Sequence, residues 1–180
     1  MRVIAGSRKG HKLLAPRGRA TRPTSDRVRE NVFNLVGPVE GARVLDLFAG
    51  SGALGIEALS RGAASAVFVE QAPEAVRTIE RNLDRLRLAG ARVVRGDVLR
   101  AIAQEVAAGA EYDLVLVDPP YSVLTEIQPR LARHLPPLVA AGGLLVVEAD
   151  ARVALELPLP ERTSRRYGQT RVTVFEAAPR

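Results

Sequence analysis

Five short apolar runs, spaced by helix-length stretches, constrain this chain more than any other feature it carries. Residues 43–48, 66–70, 92–95, 113–117 and 144–148 read as buried strands. Between them, residues 53–61, 73–88, 98–108 and 124–134 carry helical signals. The second helix is the clearest: Pro73 suits a first turn, and Val76, Ile79, Leu83 and Leu86 recur on one face. Strands alternating with helices imply right-handed crossovers and a parallel sheet. The end differs, because residues 162–167 and 170–176 flank Gly168-Gln169 and read as an antiparallel hairpin. The start differs too. Residues 2–5 and 12–14 are strand signals around the turn-prone Gly6-Ser7-Arg8-Lys9-Gly10, so a small hairpin is expected. Residues 15–23 read as a loop. Thr24 or Ser25 caps a helix that runs to about Val36 with Val28, Val32, Leu35 and Val36 as its apolar face, and Gly37-Pro38 ends it. The expected division is an extension over residues 1–40 and an α/β domain over 41–180.

Two motifs stand where strands end. Asp46-Leu47-Phe48-Ala49-Gly50-Ser51-Gly52-Ala53-Leu54-Gly55 closes the first strand and opens a helix, the context of a nucleotide-binding glycine turn. Glycines let the backbone turn sharply and approach a ligand with no Cβ in the way. Asp46, Phe48, Gly50, Ser51 and Gly52 are therefore cofactor candidates. Glu70, 20 residues after Gly50, ends the second strand, where an acid accepts from ribose hydroxyls. Asp97 follows the third strand and is placed to accept from an adenine amine, with Val98 flanking the ring, or simply to cap the next helix. An acid ahead of the turn, suited to a ligand ammonium, favours S-adenosylmethionine over a dinucleotide, whose pyrophosphate would need the helix terminus.

Asp118-Pro119-Pro120-Tyr121 follows the fourth strand at the sheet edge where open α/β folds bind ligands. An exocyclic amine on a base is a weak nucleophile because its lone pair is conjugated into the ring. Accepting both amine hydrogens, with the Asp118 carboxylate and the Pro119 carbonyl, favours a pyramidal nitrogen whose lone pair faces an incoming methyl group. The two prolines hold these acceptors in place, and an aromatic such as Tyr121 stacks on a base for about 1–3 kcal/mol. These four are the catalytic candidates, and a duplex or stacked base must leave its stack to reach them. The tetrapeptide leaves the acceptor open, since guanine N2, adenine N6 of RNA or DNA, and a protein amide all present NH₂ groups. A nicotinamide oxidoreductase would share the glycine turn and Glu70. A non-catalytic RNA-binding module would share the basic segment described next.

Charge is unevenly distributed. Residues 1–31 hold nine Lys/Arg against two acids, whereas the rest of the chain holds 17 basic and 18 acidic residues. A basic arm of this kind suits a polyanion. Its RNA candidates include Arg8, Lys9, Lys12, Arg17 and Arg27, and Arg165-Arg166 beside Tyr167-Gly168-Gln169 form a second basic and aromatic group. There is no cysteine, no Ser/His/Asp arrangement, no metal-ligand partner near His11 or His134, and no apolar run near the ~20 residues that span a bilayer. A cytoplasmic protein with no metal is expected.

The chain resembles the RsmD family of 16S rRNA guanine-N2 methyltransferases. The resemblance rests on Arg2-Val3-Ile4-Ala5-Gly6 with Lys9-Gly10, on Arg22-Pro23-Thr24-Ser25-Asp26-Arg27-Val28-Arg29-Glu30, on Asp46 to Gly55, on Glu57-Ala58-Leu59-Ser60-Arg61-Gly62-Ala63, and on Asp118 to Tyr121. It implies a Rossmann-like class I S-adenosylmethionine-dependent methyltransferase with a mostly parallel seven-stranded sheet and an N-terminal hairpin extension. It also implies a guanine of small-subunit rRNA as target, numbered 966 in the family's convention, presented by the small ribosomal subunit or its assembly intermediate. Arg22, Thr24 and Arg29 would then lie near the cofactor or the target base. The family often carries Phe where this chain has Tyr121, which keeps an aromatic ring for stacking.

Overall fold

A computed structural model of the chain describes residues 1–16 and 25–179, with only the backbone of Tyr121. The expected alternation is present. β1 (Arg43–Leu47), α2 (Ala53–Ser60), β2 (Ser65–Glu70), α3 (Pro73–Leu86), β3 (Ala91–Arg95), α4 (Val98–Ala107), β4 (Tyr112–Val117), α5 (Tyr121–His134), β5 (Val139–Asp150), β6 (Glu161–Tyr167) and β7 (Thr170–Glu176) follow α1 (Asp26–Val36). Together the strands form one seven-stranded sheet of order β3-β2-β1-β4-β5-β7-β6, the expected Rossmann-like α/β arrangement. All pairs are parallel except β5–β7 and β6–β7.

Strand order reverses between β1 and β4, which lie side by side with Leu47 opposite Val117. Such a reversal opens a crevice at the carboxyl ends of the strands. Period-two alternation sends Leu45, Leu47, Val115 and Val117 to a core shared with Ile102, Leu124 and Leu131 of α4 and α5. It sends Val44, Leu114 and Leu116 to the opposite core, shared with Val32, Phe33, Ile56, Ile79 and Leu83 of α1, α2 and α3. No helix among the described residues is long and apolar enough to cross a membrane.

Several expectations are corrected. The N-terminal hairpin shrinks to one bridge, Arg2 opposite Lys12, flanked by Val3 N–H to His11 O (2.9 Å) and Leu13 N–H to Met1 O (3.1 Å). It widens no further because the Ile4 and Ala5 N–H groups turn away to the Glu57 carboxylate (2.8 and 2.9 Å). α1 begins as expected, with the Ser25 hydroxyl accepting from Val28 N–H, but its buried face holds Arg29 and Phe33 beside Val32 and Val36. α5 starts at Tyr121 rather than 124, because Pro120 is extended and its carbonyl accepts from Val123 N–H (2.9 Å). β5 starts five residues before its apolar run, with a register shift against β4 between Tyr112 and Leu114.

Candidate active site

The crevice is built on the ends of β1 and β4. Asp118 N–H reaches Leu47 O at 3.5 Å, so the proline motif and the glycine turn leave the sheet side by side. The turn runs through left-handed backbone at Phe48 (φ 59°), Gly50 (57°) and Gly52 (78°). For Phe48 this region is sterically costly, and such cost persists mainly at functional sites. A Cβ on Gly52 would meet Ile79 at 3.2 Å, so the turn lies against α3. At Gly55 a Cβ would stand 2.3 Å from the Phe68 ring, which is why α2 can descend onto β2 only with glycine there.

Two carboxylates fix this backbone. Asp46 faces α2, is buried, and accepts from Gly55 N–H at 2.9 Å. Glu70 accepts from Gly50 N–H (2.9 Å) with one oxygen and from Ala72 N–H (2.8 Å) with the other. Burial pushes the Asp46 carboxyl up to about 7, opposed by the Gly55 bond and reinforced by the charges of Asp118 and Glu70. Asp118 and Glu70 thus both lie close enough to act on Asp46. A site of that sign welcomes a cationic ligand and repels a pyrophosphate.

The remaining candidates separate. Asp97 caps α4 by accepting from Arg100 N–H at 3.0 Å, and Val98 is buried beneath it. Ser51 has its carbonyl bonded by Asn82 (3.1 Å) and its hydroxyl beside the Met1 sulfur (3.8 Å). Pro119 is buried and Pro120 exposed. The stacking assigned to the Tyr121 ring lies outside the described residues, as do Arg17, Arg22 and Thr24. Lys9, Lys12, Arg27, Arg165 and Arg166 are exposed. The last two end β6 at the sheet edge where β5 also ends, because Asp150 pairs with Thr170 at the start of β7.

Two arginines assigned to RNA have other partners. Arg29 is wholly buried: it donates to the Arg2 carbonyl and to Asp26 (3.0 Å) and lies 3.7 Å from Glu57, so no RNA can reach its guanidinium. Arg8 donates to the Leu86 and Arg87 carbonyls, capping the end of α3 where a cation is favoured. Glu57, missed from sequence, is the hub of this region. Buried, it gathers Ile4, Ala5, Arg29 and Arg61, whose guanidinium also stacks 4.6 Å above the Phe33 ring. Asn82 was also missed, although a polar residue among Ile79, Leu83 and Leu86 on the apolar face of α3 was a readable signal.

The chain is 39% identical over 98% of its length, and 98% of the relative's, to "Putative rRNA methyltransferase YlbH" of Bacillus subtilis (strain 168). It is 44% identical to Ribosomal RNA small subunit methyltransferase D of Escherichia coli (strain K12), over 67% of this chain and 60% of that one. A solved structure of a hypothetical protein from Thermus thermophilus superposes with a TM-score of 0.84 at 37% identity, covering 98% of this chain and 99% of that one. The family model described as Conserved hypothetical protein 95 matches residues 1–176, and the chain belongs to that family, the RsmD family.

Proposed function

We propose that this protein methylates small-subunit rRNA, carrying a methyl group from S-adenosylmethionine to the exocyclic N2 of a guanine. The observation that carries this reading is the crevice itself: buried Asp46, with the carboxylates of Asp118 and Glu70 near enough to act on it, beside a glycine turn and the proline motif. The residues present fit the cofactor. Its ammonium suits Asp46, its ribose suits Glu70 and Gly50, and its adenine suits the Asp97 region; Phe48, Ser51 and Gly52 shape the turn beneath it. S-adenosylmethionine supplies an electrophilic methyl group when bound.

The chain's own contribution is positioning. Asp118 accepts from one amine hydrogen of the target base. Pro119 offers its carbonyl to the other, since the Pro120 carbonyl is already taken by α5. Tyr121 supplies the stacking surface. Lys9, Lys12, Arg27, Arg165 and Arg166 hold phosphates, with Arg17, Arg22 and Thr24 assigned to the same arm. Register gathers cations at this end of the sheet: Arg166 lies directly opposite Arg171, with the Asp150 carboxylate also close to Arg166. On this reading residues 1–40 are the RNA-contacting extension and residues 41–180 the transferase domain. Kinship with a small-subunit rRNA methyltransferase supports the rRNA substrate, and guanine N2 at the position numbered 966 is the finer part of this proposal.

The test is transfer of labelled methyl groups to isolated small ribosomal subunits, followed by nucleoside digestion. Label in N2-methylguanosine at the proposed position is the expected result. Label in N6-methyladenosine or in protein would defeat the guanine assignment.

A further inference from the structure

One buried side chain bonds the N-terminal segment and the glycine turn at once. Asn82 of α3 is 1% exposed, and its carboxamide is fully used. Its oxygen accepts from Leu14 N–H at 2.8 Å. Its nitrogen donates to the Leu14 carbonyl (3.1 Å) and to the Ser51 carbonyl (3.1 Å). One carboxamide therefore binds both backbone groups of Leu14 and the centre of the turn. Met1 meets the same residue from the other side, its sulfur 3.8 Å from the Ser51 hydroxyl. Val3 and Leu13 are buried in the core that also holds Ala53, Leu54, Ile79 and Leu83. Lys12 stands two residues from the Asn82 clamp, exposed, and neither it nor Lys9 takes part in an ion pair among the described residues.

We infer that Asn82 is a positioning residue that couples polyanion binding on the N-terminal segment to cofactor binding at the glycine turn. Phosphates on Lys9 and Lys12 restrain the segment that Asn82 grips. The same carboxamide then holds the Ser51 carbonyl, so a turn already ordered by RNA costs less to order around the cofactor. Coupling of this kind is reciprocal: whatever factor RNA gives the cofactor, the cofactor gives RNA.

The inference rests on the methyltransferase reading, and calorimetry separates the two. S-adenosylhomocysteine is titrated into the full chain with and without saturating small-subunit rRNA, for the wild type, Asn82→Asp and Asn82→Ser. Asp keeps the acceptor for Leu14 N–H but loses the donor to the Leu14 and Ser51 carbonyls. Ser leaves a small cavity instead of a buried charge, and so covers the case in which Asp prevents folding. The wild type is expected to bind S-adenosylhomocysteine about tenfold tighter with RNA than without it, about 1.4 kcal/mol. Each folded variant is expected to bring that ratio within about twofold of unity. A purely structural loss would weaken both titrations together and leave the ratio unchanged. A ratio of one in the wild type, or a full ratio in the variants, overturns the coupling. Failure of S-adenosylhomocysteine to bind at all overturns the cofactor reading instead.

Discussion

At the scale of single residues, Asp46 makes the site sensitive to pH. Its folded pKa of about 7 lies above the ordinary value of 3.8, so between those values the folded state holds a proton that the unfolded state has released. Stability from this group is therefore greatest below the lower value and falls as pH rises toward 7, by at most on the order of 4 kcal/mol. A cationic ligand favours the carboxylate, so cofactor affinity should rise with pH up to about 7 and then level. Asp46→Asn should flatten both curves, as read by thermal melting and by S-adenosylhomocysteine calorimetry; an unchanged affinity profile contradicts the role given to Asp46. Arg29 offers a second test. Breaking a buried ion network from one side costs about 3–5 kcal/mol, so Arg29→Met should lower Tm by roughly 10 °C, using ~2–4 °C per kcal/mol for this size. Arg27→Ala, on the exposed side of the same helix, should shift stability by no more than about 0.5 kcal/mol. A melt of Arg29→Met that matches the wild type would return Arg29 to the RNA surface.

At the scale of elements, α2 is the piece whose placement decides the site. Gly55→Ala gains about 1 kcal/mol of helix propensity but drives a methyl group into the Phe68 ring and to 3.0 Å from the Asp46 carboxylate. Overpacking of this kind costs about 1–3 kcal/mol, so the variant should be less stable in denaturant and bind S-adenosylhomocysteine several-fold more weakly. Equal stability and affinity would mean that α2 tolerates a shift. The elements themselves were legible because each strand and helix carries its own period, and β1, β2 and α3 fall within a residue or two of the expected bounds. Misplaced boundaries have local causes. Ala140 to Gly143 resembles a turn, yet its backbone extends β5. The hairpin expected at residues 2–5 gives up its pairing to a carboxylate more than 50 residues away. Arg29 is misread from sequence for the same reason: local charge suggests a surface, and Glu57, which draws it inward, belongs to another helix. The convergence of Asp46, Glu70 and Asp118 was readable because strand ends meet at the order reversal wherever they occur in sequence.

At the scale of the whole molecule, the proposed function needs a basic surface beside an acidic crevice. The exposed cations Lys9, Lys12, Arg165 and Arg166 lie on segments far apart in sequence. Each phosphate of single-stranded RNA that is no longer neutralised should reduce the slope of log affinity against log salt by roughly 0.7. Replacing all four cations with Ala should therefore flatten the slope by up to about 3 units in filter binding across a salt series. An unchanged slope would place the RNA on another face. The proposed methyl transfer depends on Asp118. Its most direct test pairs single-turnover methyl transfer to small ribosomal subunits with S-adenosylhomocysteine calorimetry for Asp118→Ala. Transfer is predicted to fall by at least about a hundredfold while cofactor affinity stays within several-fold of the wild type; transfer at the wild-type rate would contradict the claim.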